Sequence, residues 1–203
     1  MKSLELMAKI FKVNVKRIDG KIIRKAVAAL KKGGLVIFPT ETVYGLAADP
    51  LNKKAVAKIF KAKKRPLNQP LQLLISDPKH AKTLATKIPI KVNSMMKRFW
   101  PGPLTIVVKK KRNIPDIVTG GLNTVGIRVP DHDVALELIK AFGRPIAATS
   151  ANLSGKKPPK TAKEAAKYLK GKVDFIIDSG KTKLGKASKV IDATAKTIKT
   201  LRK

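Results

Sequence analysis

The chain of 203 residues is 43% hydrophobic and 29% charged, long enough for a substantial core and too apolar for a disordered polymer. With no cysteine and only two histidines, it excludes disulfides, thiolate catalysis, cysteine–zinc sites and histidine-rich metal clusters. Its 45 Lys and Arg against 13 Asp and Glu leave a net charge of +32, which favours a polyanionic partner such as nucleic acid over simple solubility. The cations are scattered along the chain, as suits a folded basic surface better than a tail. No apolar run approaches the roughly 20 residues of a membrane-spanning helix. The opening "MKSLELMAKIFK" has no secretory h-region, so a cytoplasmic protein without membrane contact is expected, as one domain over residues 1–203.

The first clear element is a helix over 21–34, where apolar residues at 22, 23, 26, 27 and 30 form a stripe and Gly33-Gly34 supply the stop. Leu35-Val36-Ile37-Phe38 is a continuous apolar run, as in a strand covered on both faces, and Pro39 ends it. A second helix over 53–64 is expected to end at Arg65-Pro66, because the residue before proline avoids helical geometry. "LQLLIS" (71–76) reads as a strand, and Ser76-Asp77-Pro78 then opens a short helix. "KVNSMMKRFW" is helical up to the Pro101-Gly102-Pro103 break, with Phe99 and Trp100 read as core; "LTIVVKK" (104–110) and "VGIRVP" (125–130) are strands. A helix capped at Asp131 and stopped by Gly143 follows, then a strand over 145–150, a helix in "TAKEAAKYLKG" and a strand in "VDFIID". His80 and His132 read as helix-surface residues without a role. Strands and helices alternate almost throughout, which predicts an α/β fold around a twisted, mixed sheet.

Three strand ends change from apolar to hydroxyl-rich or basic within one or two residues: Phe38 into "PTETVYG", Ile127 into "RVP" and Ala148 into "TSANLSGKKP". Ligands of open α/β sheets bind where strand ends meet loops, because backbone amides and side-chain donors converge there. "KAKKRPLNQPL" adds a cluster of cations just beyond a helix. Hydroxyls, amides and cations with almost no carboxylates suit binding and polarising an anion, not proton relay between paired acids. "TSANLSG" (149–155) fits a phosphate-cradling turn and an ordinary Asn/Ser turn alike. Tyr44 is either a ligand contact or a core-edge aromatic with a bonded hydroxyl. Arg128, in an apolar strand, calls for a bound anion or an internal ion pair. "GKTKLGKAS" (180–188) nearly spells a phosphate-binding P-loop, but Ala187 stands where the Mg²⁺-binding hydroxyl belongs, and too little chain follows for the rest of such a fold.

Taken in order, "GGLVIFPTETVYGLAADP", "AVAKIFKAKKRPLNQPLQLLI", "FWPGPLTIVV", "VGIRVP", "PIAATSANLSGKKP" and "ASKVID" resemble the YrdC family of L-threonylcarbamoyladenylate synthases, in its single-domain form, over about residues 20–202. The K-x-R pair (Lys63, Arg65) and the later S-x-N (Ser150, Asn152) carry the family signature. The resemblance implies a YrdC-like sheet flanked by helices with a large basic concave cavity. It also implies a reaction in which L-threonine, bicarbonate and ATP, the last with Mg²⁺, give threonylcarbamoyl-AMP and pyrophosphate. A separate threonylcarbamoyl transferase then modifies tRNA. By motif position, Thr40, Tyr44, Arg128, the Ala148 backbone and Ser188 would contact threonine. Lys63, Arg65, Gln69, Thr124, Ser150, Asn152, Pro158 and Arg202 would hold ATP, with Lys63 and Arg65 as the catalytic cations and no metal ligand among the side chains. Leu74 stands where longer members have a threonine-contacting histidine, and Arg202 falls at a chain end expected to fray. The competing reading is a non-catalytic module for double-stranded RNA or tRNA. The aromatic content of 4% argues against a binder built on base stacking.

Overall fold

Apolar strands with side chains on both faces need two layers of cover, and the chain supplies them unequally. The computed structural model describes residues 9–195 and 197–203. Its strands are β1 (Lys9–Lys12), β2 (Val36–Phe38), β3 (Gly45–Ala48), β4 (Gln72–Leu74), β5 (Leu104–Lys109), β6 (Thr124–Arg128), β7 (Ile146–Ser150), β8 (Phe175–Asp178), β9 (Lys189–Asp192) and β10 (Lys199–Arg202). They form one sheet in the order β1-β8-β2-β3-β7-β4-β6-β5-β9-β10. It is mixed: β2 runs antiparallel to β3 and β7 antiparallel to both β3 and β4, whereas β4 is parallel to β6 and β5 to β9. The helices are α1 (Gly20–Lys31), α2 (Lys53–Lys63), α3 (Ala81–Leu84), α4 (Ile90–Phe99), α5 (Asp116–Thr119), α6 (Asp133–Phe142) and α7 (Ala162–Leu169). Among the described residues, no helix is long and apolar enough to cross a membrane.

One face of the sheet packs Ile37, Leu46, Leu73, Ile106, Ile127 and Ala147 against α2, α4 and α7. The opposite face is covered at one end only: Val36, Phe38, Ala47, Leu74 and Ile146 pack against Ile23, Val27 and Leu30 of α1 and Val134, Leu138 and Phe142 of α6. Where this second face continues over β6, β5 and β9, no helix among the described residues covers it.

Local signals explain most of the boundaries. Asn52 caps α2 through its side chain, accepting from Ala55 N–H at 3.0 Å, and Thr161 caps α7 by accepting from Glu164 N–H at 3.2 Å. Gly143 ends α6 with φ 79°. The α2 helix closes one residue before the expected point, on Lys64 with φ 52°, so a left-handed turn and not the proline sets its end. Asp131 does not cap α6; His132 holds the N-cap position and makes no side-chain cap bond. His132 is also half-buried, with Nε2 3.3 Å from Ser179 Oγ and Nδ1 without a partner, so it is not a free surface residue. Trp100 is buried, its Nε1 donating to Leu104 O at 2.6 Å, whereas Phe99 is 43% exposed and lies outside the core. The 180–188 stretch runs straight into strand β9 with no helix after it, which removes the P-loop geometry.

Strand β3, unmarked in sequence, lies directly between β2 and β7, with Gly45 opposite Phe38 on one side and Ser150 on the other. A Cβ on Gly45 would stand 2.7 Å from Phe38 Cε1, a distance that no side chain tolerates. Gly45→Ala should therefore destabilise the fold by about 1–3 kcal/mol, read as a lower denaturant midpoint. An unchanged midpoint would mean that the Phe38 ring turns aside freely.

Candidate functional site

On the bare part of the second face, alternate strand residues point away from the apolar core. They form the floor of a groove of about 340 Å³, made by Ala148 (β7), Gln72 (β4), Gly126 (β6), Thr105 (β5) and Ser188, which precedes β9. The walls come from two loops and an edge strand: Thr42 and Val43 after β2, Arg65 and Pro70 after α2, and Leu201 and Arg202 on β10.

Arg128 anchors one end of the groove. Its side chain is 3% exposed, and the guanidinium donates from Nε to Gly102 O at 3.1 Å and from Nη2 to Thr42 Oγ1 at 2.9 Å. Nη2 also lies 2.7 Å from the buried carboxylate of Glu41. Burial draws the guanidinium below its ordinary value while Glu41 opposes that shift. Of the two sequence readings of Arg128, the internal ion pair is the one the structure contains, and the residue also lines the groove. The loop that delivers Glu41 and Thr42 is wound around Thr40. The Thr40 hydroxyl donates to Val43 O at 2.6 Å and accepts from the backbone N–H of Thr42 and Val43, both at 3.2 Å. Thr40 is buried and outside the groove lining; Thr42, two residues on, reaches the groove instead.

Tyr44 is fully buried. Its hydroxyl donates to Gly180 O at 2.6 Å, accepts from Ser179 N–H at 3.2 Å and lies 3.2 Å from Asp178 Oδ1, and burial pushes the phenol up to about 12. It ties the loop after β2 to the loop after β8 and does not line the groove.

The K-x-R and S-x-N elements meet as one cluster. Lys63 is 1% exposed, its ammonium donating to the carbonyls of Ser150 and Asn152 and lying 3.5 Å from Asn152 Oδ1. Burial, with repulsion from Arg65, pushes it down to about 7, against those acceptor oxygens. Asn152 is buried too, its Nδ2 closing the turn onto Leu153 O at 2.9 Å and Lys156 O at 2.6 Å. Ser150, at the top of this turn, lines the groove. Arg65 lines it as well, fixed by Gln69 O at 3.2 Å and Pro70 O at 2.9 Å, so Gln69 acts here through its backbone while its side chain is exposed. Pro158 stands half-buried beside Pro159, whose carbonyl accepts from Tyr44 N–H at 2.9 Å.

At the far end, β10 pairs with β9, and Arg202 donates from Nε to Ser188 O at 2.8 Å and from Nη2 to Ser188 Oγ at 3.1 Å. The expected fraying is overturned: strand pairing and two side-chain bonds hold Arg202 on the groove. Arg65, Thr124, Arg128, Ala148, Ser150, Ser188 and Arg202 thus share one groove, while Thr40, Tyr44, Lys63, Gln69, Asn152 and Pro158 build its supports. The sequence reading missed Thr42, Gln72, Thr105 and Gly126. For the last three the signal was present as small or polar residues at alternate positions of otherwise apolar strands, in "LQLLI", "LTIVV" and "TVGIRV"; Thr42 lies in a loop, where no such alternation exists. Leu74, by contrast, is buried against the α1 and α6 side of the core.

Comparisons with known proteins converge on one family. The Sua5/YciO/YrdC family model, described as "Telomere recombination", matches residues 28–203. A threonylcarbamoyl-AMP synthase of Pyrococcus abyssi is 48% identical over 183 residues, covering 90% of this chain and 54% of that protein. One from Hahella chejuensis is 36% identical, covering 87% of this chain and 96% of its own length. The solved structure of P. abyssi Sua5 complexed with L-threonine superposes with a TM-score of 0.93 at 46% identity, over 96% of this chain and 57% of that one. Escherichia coli YciO gives 0.89 at 28% identity, over 97% of this chain and 96% of that one. The chain spans about half the length of the P. abyssi relative. With the family model running over most of its length, the chain belongs to the Sua5/YciO/YrdC family.

Proposed function

We propose that this chain makes L-threonylcarbamoyl-AMP from L-threonine, bicarbonate and ATP, releasing pyrophosphate, for transfer of the threonylcarbamoyl group to tRNA by a separate transferase. The observation that carries the reading is the convergence of Arg65, Arg128, Ser150, Ser188 and Arg202, from distant parts of the chain, on one groove. The similarity to threonylcarbamoyl-AMP synthases and the threonine complex of P. abyssi Sua5 supports it.

Threonine's carboxylate goes to the Arg128 end, where Nε and Nη2 are already engaged with the protein and Nη1 is left for a ligand oxygen. The triphosphate goes to Arg65, Ser150 and Arg202, with Thr124 beside the nucleotide. The uncharged threonine amine attacks the bicarbonate carbon, water leaves, and the resulting carbamate oxygen attacks the α-phosphorus in line with the departing pyrophosphate. The protein's contribution is alignment of three reactants plus cationic stabilisation of the phosphates. Alignment alone can account for about 7–11 kcal/mol of barrier. Lys63 acts by holding the carbonyls of the 150–152 turn, and so by aiming Ser150.

Asp192 is the one carboxylate among the described lining residues, and no group of three or more His, Asp and Glu side chains gathers among the described residues. Mg²⁺ accompanies ATP, held by phosphates and water.

Incubation with MgATP, threonine and bicarbonate should release pyrophosphate only when both threonine and bicarbonate are present; threonine-independent hydrolysis would overturn the reading. Arg65→Ala should lower turnover by about a hundredfold with an unchanged circular dichroism spectrum, and a wild-type rate would remove Arg65 from the phosphate site.

Lys63 has a stability signature. Its folded value, about 7, lies below the ordinary 10.5, so between the two the unfolded chain holds a proton that the native chain has shed. Stability therefore rises with pH across that window and is lost as pH falls toward 7. Relative to Lys63→Met, the wild-type unfolding free energy should climb over this range. Parallel curves would show an ammonium kept charged by its carbonyls.

The second reading, RNA contact, rests on the net charge of +32 with only four ion pairs among the described residues. It is compatible with the enzyme. Affinity for tRNA should fall by about a thousandfold between roughly 50 and 200 mM salt if six or more phosphates are contacted. A flat response would assign the charge to solubility.

A further inference from the structure

A line of side chains crosses the groove floor from its edge to its centre. Arg202 Nη2 donates to Ser188 Oγ at 3.1 Å, Ser188 Oγ meets Thr105 Oγ1 at 2.9 Å, and Thr105 Oγ1 donates to Gln72 Oε1 at 2.8 Å. The Gln72 end fixes the direction of this line: Oε1 can only accept, so Thr105 spends its single proton on it. Ser188 must then pass its own proton to Thr105, and its oxygen accepts from the guanidinium. With Oε1 of the Gln72 amide turned toward Thr105, Nε2 is left as a donor with no protein partner among the described residues, on a residue that lines the groove. A cation at one end of a chain of hydrogen bonds strengthens the donor at the other.

The place of that donor defines what it meets. Gln72 is in register with Gly126 on one side and Ala148 on the other. On β6, Thr124, Gly126 and Arg128 face the groove in succession, about 7 Å apart. Gly126 thus lies midway between the nucleotide end at Thr124 and the threonine end at Arg128. Gly126 also leaves the floor low: a Cβ there would come within 3.1 Å of Thr105 Cγ2 and 3.7 Å of Gln72 Cβ. The reactant that joins an amine to an α-phosphate must sit between the two, and it is a small planar anion that offers only oxygens to a donor.

We infer that Gln72 Nε2, held by the Arg202–Ser188–Thr105 line, donates to an oxygen of bicarbonate, and of the carbamate formed from it, above Gly126. The assignment rests on the threonylcarbamoyl-AMP reading and adds a residue and a location for its one-carbon substrate. Gln72 is then a substrate-contacting residue, and Thr105 a positioning residue that acts through it.

The test is pyrophosphate release in CO₂-depleted buffer with bicarbonate varied at saturating threonine and MgATP, then threonine and ATP varied in turn. Gln72→Leu should raise the bicarbonate KM about ten- to a hundredfold and leave the KM values of threonine and ATP near wild type. Thr105→Val should shift the bicarbonate KM in the same direction, and Thr105→Ser should restore it. Unfolding midpoints and threonine binding by calorimetry check that each variant is folded. An unchanged bicarbonate KM in Gln72→Leu overturns the assignment, as does a rise confined to ATP or shared equally by all three substrates. A wild-type chain that releases no bicarbonate-dependent pyrophosphate overturns the function and this assignment together. A wild-type dependence that Gln72→Leu leaves intact overturns the assignment alone.

Discussion

Arg128 and Glu41 sit almost fully buried, 2.7 Å apart, where the last turn of an apolar strand meets the loop after β2. Neither charge could stay there alone, since removing one member of such a pair typically costs about 3–5 kcal/mol. The pair therefore dictates much around it. Glu41 must arrive from a loop tight enough to bury its carboxylate, which Thr40 provides by bonding Thr42 and Val43 back to its own hydroxyl. Gly102 must present its carbonyl to Nε, which the break between α4 and β5 provides. With the guanidinium held on those sides, a strand that would otherwise be ordinary core carries a fixed cation to the lining of the groove.

The groove exists because the two faces of the sheet are covered differently. One face is apolar along its central length under α2, α4 and α7; the other has α1 and α6 over one end only. Over the rest of that face, strand alternation keeps Leu73, Ile106 and Ile127 inside while turning Gln72, Thr105 and Arg128 out. The same strands thus supply a hydrophobic core and a polar floor, and the core fixes the floor positions to the register of the sheet. Apart from Ser188 the floor groups sit on strands, which keeps them rigid enough for the alignment that the proposed reaction needs.

Much of this was legible in the residues, and the gaps have physical causes. The long stripes of α1, α2 and α6 and the apolar runs of β2, β5 and β7 could be read directly, because each buries enough surface to leave a periodic trace. Strand β3 could not: "GLAA" is short and rich in small residues with weak strand preference, and its place between β2 and β7 comes from pairing alone. Strands β9 and β10 escaped for a related reason: "KVID" and "KTLR" are four residues each, with too few apolar positions to leave a trace. The site motifs named segments that meet at the groove but not which residue of each lines it. Thr40 and Thr42 look alike in sequence, and only the fold of the loop makes the first a scaffold and the second a wall. Lys63 and Arg65 are two residues apart, and the left-handed turn at Lys64 sends one beneath the 150–152 turn and the other onto the groove.

The cations of the protein fall into two chemical populations. Those lining the groove are guanidiniums, Arg65, Arg128 and Arg202, while Lys63, the one amine tied to the site's K-x-R signature, is 1% exposed. Reagents that acylate amines consequently see the outer surface and not the groove. Capping the exposed lysines would strip away most of the long-range electric field and leave the groove its guanidiniums, so the outer charge and the inner charge can be separated without altering a single codon.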